Sequence, residues 1–243
     1  MPKHTPSTRL VAAVLASGAL AGGAAGAAQA AVDAPGRDAR TTIDMAPSSS
    51  SGFSHPTRIT NPWLPLSVHR EAVFTGRSET GAELRVVQTV PRHISTFVVE
   101  GRLVRATAVE QRTFEGGRLT EMRVSYYAQA DDGTVFELGR ATHDARGTDH
   151  RGSISLGRGQ TETGVRLVMP AVPRDGAELV SGGARVIDTN ARLTVAGGTF
   201  ARVLVVHTPA TADDASEVRY YARGVGLVKA RTATGALELA NLR

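Results

Sequence analysis

The chain has no cysteine, only two lysines and one tryptophan in 243 residues, and aromatics make up just 5% of it. Each shortage excludes something. Without cysteine there is no disulfide, no thiolate metal site, no thiol nucleophile and no lipid-modified cysteine anchor. With so few aromatics, a core must be built from Val, Leu, Ile and Ala, and the 41% hydrophobic content is enough for one. After residue 30 no run approaches the roughly 20 apolar residues of a membrane-spanning helix. A sustained 3.6-residue hydrophobic period is also missing, which removes helical bundles and coiled coils.

The shortage of lysine qualifies the charge. A formal net charge of +5 and a pI of about 10.2 invite a nucleic-acid partner. The cations are almost all arginine, however, in a chain rich in Ala and Gly, as expected from a GC-rich genome. They are dispersed, with no block of five or six like charges. Lys3 and Arg9 fall in a segment expected to be removed, which takes +5 to +3. No nucleic-acid partner is expected.

That segment is residues 1–30, which read as a secretory signal peptide. Lys3, His4 and Arg9 form a basic start, Leu10–Leu15 an apolar region, and Ala28-Gln29-Ala30 a small-x-small cleavage pattern. The expectation is a secreted protein cleaved near Ala30. Residues 31–52, with Ala34-Pro35-Gly36-Arg37-Asp38 and four serines from Ser48 to Ser51, hold little to bury and read as a disordered linker. Residues 53–243 then form a single β domain.

This domain opens with Pro56-Thr57-Arg58-Ile59-Thr60-Asn61-Pro62-Trp63-Leu64-Pro65-Leu66. Its prolines forbid a helix and favour an extended lead-in. Trp63, Leu64 and Leu66 are expected to close one end of the core, or Trp63 to wall a ligand pocket. From Glu71 onward the pattern is short β-prone runs separated by turn signals such as Glu115-Gly116-Gly117 and Asp131-Asp132-Gly133. Residues 141–161 break the pattern and read as a mobile polar excursion. Val203-Leu204-Val205-Val206 is continuously apolar and reads as a central strand buried on both faces. The sum is about twelve short, mainly antiparallel strands. Such a meander sheet must curve, as a half-barrel or a flattened barrel, to hide its edges.

The closing stretch, Glu217 to Lys229, reads as strand, glycine turn and strand. Gly224 and Gly226 supply the positive φ of a tight reversal. Its Val218-Arg219-Tyr220-Tyr221-Ala222 repeats the earlier Val124-Ser125-Tyr126-Tyr127-Ala128. Period-two alternation predicts that Tyr126 points inward with Val124, and Tyr220 with Val218.

Candidate chemistry is sparse. His143, Asp144, Asp149 and His150 are metal-ligand types, and Asp131 and Asp132 resemble part of a calcium loop. Neither set matches a complete motif, and both residue types are common in solvated turns. No Gly-x-Ser-x-Gly elbow is present, and no catalytic residue or cofactor is assigned. Trp63, Tyr126 and Tyr220 are the candidates for lining a ligand pocket.

Several stretches together resemble a family of uncharacterised secreted actinobacterial β-proteins. They are Ile59 to Leu66, Tyr126-Tyr127-Ala128-Gln129 with Asp132-Gly133-Thr134-Val135, Val168-Met169-Pro170-Ala171, Gly198-Thr199-Phe200, and Tyr220 to Gly226. One departure is Tyr126, where relatives often carry Trp. The resemblance implies export and an antiparallel β fold, and it assigns no activity. The expected function is therefore a non-catalytic exported domain that binds a small apolar or amphipathic ligand or a cell-envelope component. The alternative is a secreted hydrolase, with or without a metal, using residues 131–161.

Overall fold

The computed structural model describes residues 42–43, 52–78, 80–148, 154–179, 183–210, 215–232 and 235–243, with the backbone alone considered along 42–43, 144–148 and 154–164. Every regular element among them is a strand. They are β1 (Thr42–Ile43), β2 (Glu71–Arg77), β3 (Glu83–Thr89), β4 (Ile94–Val99), β5 (Arg102–Glu115), β6 (Arg118–Gln129), β7 (Val135–Thr148), β8 (Ile154–Met169), β9 (Arg185–Val195), β10 (Gly198–Thr208), β11 (Glu217–Ala222), β12 (Gly226–Thr232) and β13 (Gly235–Leu242).

These strands form one open, curved sheet in the order β8-β7-β6-β5-β3-β2-β13-β12-β11-β10-β9, and β4 pairs with β5 beside the end of β3. All pairings are antiparallel except that of β1 with β4. The expected all-β meander is therefore the fold, and the sheet is not closed into a barrel. Two local readings change. Residues 141–148 and 154–161 continue as the paired strands β7 and β8, whose partners run from Val135↔Met169 to Thr148↔Ile154 with register shifts along the way. Two residues of the segment read as a linker, the β-branched pair Thr42–Ile43, form β1.

The two ends of the path, β8 and β9, are consecutive in sequence, and the connector between them carries Leu179 and Ala184 into the core. Around it pack Val109 of β5, Tyr127 of β6, Val135 of β7, Met169 of β8, Val186 of β9, Leu204 of β10 and Tyr221 of β11. Strands β6 and β11 are far apart in the ladder, so only strong curvature of the sheet brings them into one cluster. Val203, Leu204, Val205 and Val206 are all buried, as a strand covered on both faces requires, although β10 is next to the edge rather than central.

The lead-in plugs one end of this curl. Ile59 and Leu66 are buried there, with Trp63 and Leu64 against them. Asn61 is 3% exposed and is the fastener. Its side chain donates through Nδ2 to Gly133 O (2.9 Å) and Pro170 O (3.1 Å), and its Oδ1 accepts from Trp63 N (2.9 Å). Its own N–H donates to Gln129 Oε1 at 2.8 Å. On the opposite side of the plug, Gly224 N donates to Pro62 O at 2.7 Å. One residue type is dictated by close strand approach: a Cβ on Gly76 of β2 would lie 1.9 Å from Ala236 O of β13.

Candidate functional site

Cross-strand register defines which residues share the inner face. One row crosses β2, β3, β5 and β6 as Phe74, Val86, Thr113 and Glu121. The next runs Ala72, Gln88, Gln111, Arg123 and on to Thr142 of β7. Both rows pass from apolar to charged within a few strands. On the apolar side, Phe74, Leu84, Val86, Leu237 and Leu239 form a cluster with Val195 from the β9–β10 hairpin. On the other side the interior is ionic.

That ionic half is built from alternate residues of β6, where Glu121, Arg123 and Ser125 are buried while Met122 and Val124 are only partly covered. Glu121 pairs with Arg123 at 2.8 Å. Glu137 of β7 takes Arg140 in a fork, Nε to Oε1 at 3.0 Å and Nη2 to Oε2 at 2.8 Å, and also takes Arg166 of β8. From the far wall β11 contributes Glu217 and Arg219, 2.7 Å apart. Paired burial is the condition under which such charges are tolerated, since an isolated buried ion costs several kcal/mol.

The electrostatics follow from burial and neighbours. Burial lowers the affinity of Arg123 for its proton, and Arg140 adds to this, against the pull of Glu121 and Glu137. Burial also works against the charge of Arg219, but Glu217 and Tyr221 outweigh it and hold its pKa above the ordinary value. Tyr127 and Tyr221 are pushed up chiefly by burial, with Glu137 adding at Tyr127 and Glu217 at Tyr221. Arg219 opposes the rise at both tyrosines, so the two Tyr-Tyr repeats meet here through their second members.

Tyr126 and Tyr220 lie on the strand faces opposite Tyr127 and Tyr221, each partly buried against an apolar cluster rather than turned to solvent. Tyr126 sits on the opposite face of the sheet, with its ring 5.4 Å from Phe97 and 6.4 Å from His93. Tyr220 is partly buried against the cluster that contains Ala222 and Val228. Register sets this: the face of β6 bearing Glu121, Arg123 and Ser125 looks into the ionic interior, and the tyrosine on that face is Tyr127.

The sequence-derived metal candidates are placed as follows. Asp131 accepts Ser54 N at 2.7 Å and Ser54 Oγ at 3.0 Å, which ties the lead-in to the β6–β7 turn. Asp132 accepts Thr134 N at 2.8 Å within that turn. His143 lies opposite Met122, well along β7; eight residues of strand from Val135 put it about 25 Å or more from the two aspartates. Asp144 pairs with Glu121 in backbone register, and Asp149 and His150 lie outside the described residues. Among the described residues, no group of three or more His, Asp or Glu is arranged to hold a metal.

Among the described residues, two serine–histidine pairs have hydrogen-bond distance; one is Ser95 Oγ with His93 Nε2, exposed and 3.2 Å apart, and the second closes the β10–β11 connection. His207 Nε2 is 2.9 Å from Ser216 Oγ, which also donates to Thr208 O at 3.2 Å. Among the described residues no third side chain orients the imidazole, so the pair reads as closure of the β10–β11 connection.

A small cleft lies between the lead-in and the closing hairpin. Its walls are Leu64, Pro65, Leu66, Ala72, Phe74, Val225, Gly226, Leu227 and Leu242, with His69, Glu71 and Gln88 among them, and its volume is about 40 Å³. A volume of this size holds a few methylene groups, well short of the roughly 150 Å³ that accommodates benzene. His69 and Gly224 bridge its edge at 2.9 Å. Trp63 is next to the wall in sequence, while Tyr126 and Tyr220 do not line it. In chemical terms the ionic interior is poorly suited to proton transfer, because its carboxylates are paired with guanidinium groups and its tyrosine protons are held tightly. Among the described residues, this cleft has room for a small ligand group. Comparison with family models, with curated proteins and with solved structures finds no match for this chain.

Proposed function

We propose that this protein is an exported, non-catalytic β-domain that takes the apolar end of a small amphipathic ligand or cell-envelope component into the cleft between the lead-in and the closing hairpin. The observation that carries this reading is the cleft itself, apolar on its walls and edged by His69, Glu71 and Gln88. Its volume fits a chain end of a few carbons and leaves the rest of the ligand outside, which suits recognition of a group on a larger molecule. Export is supported by the basic start, apolar run and Ala28-Gln29-Ala30 at the N-terminus.

The single tryptophan serves as the reporter, since Leu64 and Pro65 beside it line the cleft. Titration with n-pentanol is expected to give a saturable change in Trp63 emission. The same titration of Val225→Phe, which fills the cleft from a turn, is expected to give none. Native mass spectrometry of protein recovered from an exporting host is expected to show a small bound amphiphile. An emission change that is linear in n-pentanol, or equal in Val225→Phe, overturns the reading.

A further inference from the structure

The apolar cluster that walls the cleft extends beyond it. Ala72, Phe74, Val225, Leu227 and Leu242 line the cleft, and they belong to one packed cluster with Leu193, Val195 and Phe200 from the tip of the β9–β10 hairpin. The tip, residues 191–201, is two-sided. Those three apolar residues are covered or half-covered, while Arg192, Thr194, Thr199 and Ala201 are exposed. In the ladder β11 and β12 separate β10 from β13. Gly197 N nevertheless donates to Leu239 O of β13 at 2.7 Å, so the tip lies across the apolar face. A Cβ on Gly197 would sit 2.8 Å from the same oxygen.

Such a fold-over needs a corner, and both strands supply one. Between Phe200↔Leu193 and Val205↔Asp188 the register shifts twice, first with the extra residue in β10 and then in β9. Arg202 holds a φ of 53° there, and Asp188 Oδ1 accepts Asn190 N at 2.7 Å. Bulges at one level on two paired strands bend a hairpin and interrupt its ladder. Beyond this corner, among the described residues, three apolar side chains and one backbone hydrogen bond hold the tip to the sheet beneath it. An element with so few contacts opens ahead of the core.

We infer that the hairpin tip is a lid, and that lifting it extends the cleft into a groove for an unbranched alkyl or acyl chain, longer than the closed volume of about 40 Å³ admits. This inference rests on the cleft being the binding site. It adds the length and shape of the ligand's chain.

The test compares n-pentanol with n-octanol on the full chain, by Trp63 emission and by backbone amide shifts at Leu193, Val195 and Phe200. Each methylene that enters a groove gains about fourfold in affinity, so n-octanol is expected to bind about 60-fold more tightly than n-pentanol. It is also expected to shift the three tip amides, which n-pentanol leaves in place. Gly197→Ala sets a methyl against Leu239 O and populates the lifted tip. It is expected to raise n-octanol affinity about threefold further and to leave n-pentanol unchanged. In the free protein the Gly197 amide is expected to exchange with deuterium well before the core amides of β2 and β13. If n-octanol binds no more tightly than n-pentanol, if Gly197→Ala leaves their ratio unchanged, or if Gly197 exchanges only with the core, the inference fails while the cleft stands. If n-pentanol produces no saturable change, the cleft reading fails and the inference falls with it.

Discussion

The two halves of the inner face are made by one sheet, yet they are held together by different physics. Around Phe74, Val86 and Leu237 the interior is dry hydrocarbon; around Glu137, Arg140 and Arg166 it is a cluster of paired ions. Four adjacent strands suffice for the change, from Phe74 through Val86 and Thr113 to Glu121. The apolar half gains free energy by removing surface from water, roughly 25 cal/mol per Å². The ionic half gains little net energy, because the attraction within each pair is set against the desolvation of both partners. The lesson is that burial and stabilisation are separate properties here. One half supplies stability, and the other supplies a fixed arrangement that is costly to disturb.

The sharpest way to break this comparison is to treat both halves alike. Phe74→Ala, at a side chain 1% exposed, is expected to lose about 3–5 kcal/mol in urea unfolding. Glu137→Leu is expected to lose about as much, roughly 3–5 kcal/mol, by leaving Arg140 and Arg166 without their shared partner. The halves separate in the rescue. Glu137→Leu combined with Arg140→Met and Arg166→Met is expected to recover most of that loss, because the buried charges then leave together. A triple variant as unstable as the single one would show that the ion cluster itself supplies stability. No substitution in contact with Phe74→Ala is expected to rescue it comparably, short of refilling the hole.

The plug gives the next largest effect. Asn61→Ala removes an acceptor for Trp63 N and the donor to two carbonyls, and is expected to cost about 2–3 kcal/mol, read as a lower midpoint in denaturant. Asn61→Asp tests the direction of these bonds, since a carboxylate keeps the acceptor and loses the donors. Smaller again is the alkaline response. Burial holds the pKa of Tyr127 above the ordinary value of a tyrosine, and raises that of Tyr221 as well. The folded state thus holds these protons more tightly than the unfolded chain. The associated stability is fully present below about pH 10 and is lost as pH rises through the folded values. Tyr127→Phe is expected to flatten that alkaline fall, followed by circular dichroism against pH. The smallest expected effect is at the surface pair Lys229–Glu238, 2.6 Å apart and partly exposed. Lys229→Met is expected to change stability by under about 1 kcal/mol.

The strand-and-turn grammar of the fold is readable in the sequence because turns are chemically marked. Gly116-Gly117, Asp132-Gly133 and Gly224 all adopt positive φ at a glycine where the chain reverses. The continuous run from Val203 to Val206 likewise declared its double burial. The site was far less legible. Along β6 the apolar residues Met122, Val124 and Tyr126 invite an inward assignment, and Glu121, Arg123 and Ser125 an outward one. Folding reverses this, since both faces of β6 are covered and the alternation marks two kinds of interior rather than inside and outside. The clue lay in spacing: Glu121-x-Arg123 and Glu217-x-Arg219 each place opposite charges two residues apart on one face of a strand. The same pattern is also what a solvated strand shows, so only the ladder decides. His143 and Asp131 illustrate the converse error. Twelve residues apart in a flexible loop they could converge, whereas β7 is a rigid spacer that keeps them apart.

The plug has a consequence for how the molecule reaches this state. Residues 56–70 are made early in the domain, but their partners come late. Asn61 waits for Gln129, Gly133 and Pro170, up to 109 residues further on, and His69 for Gly224, 155 residues on. Closure of such long loops places the chain among slow-folding β topologies, on a scale of milliseconds to seconds. The plug and the cleft beside it can assemble only after the closing hairpin has formed. A truncation that removes this hairpin would therefore leave a sheet with an open end, its lead-in undocked and its ionic interior exposed to water.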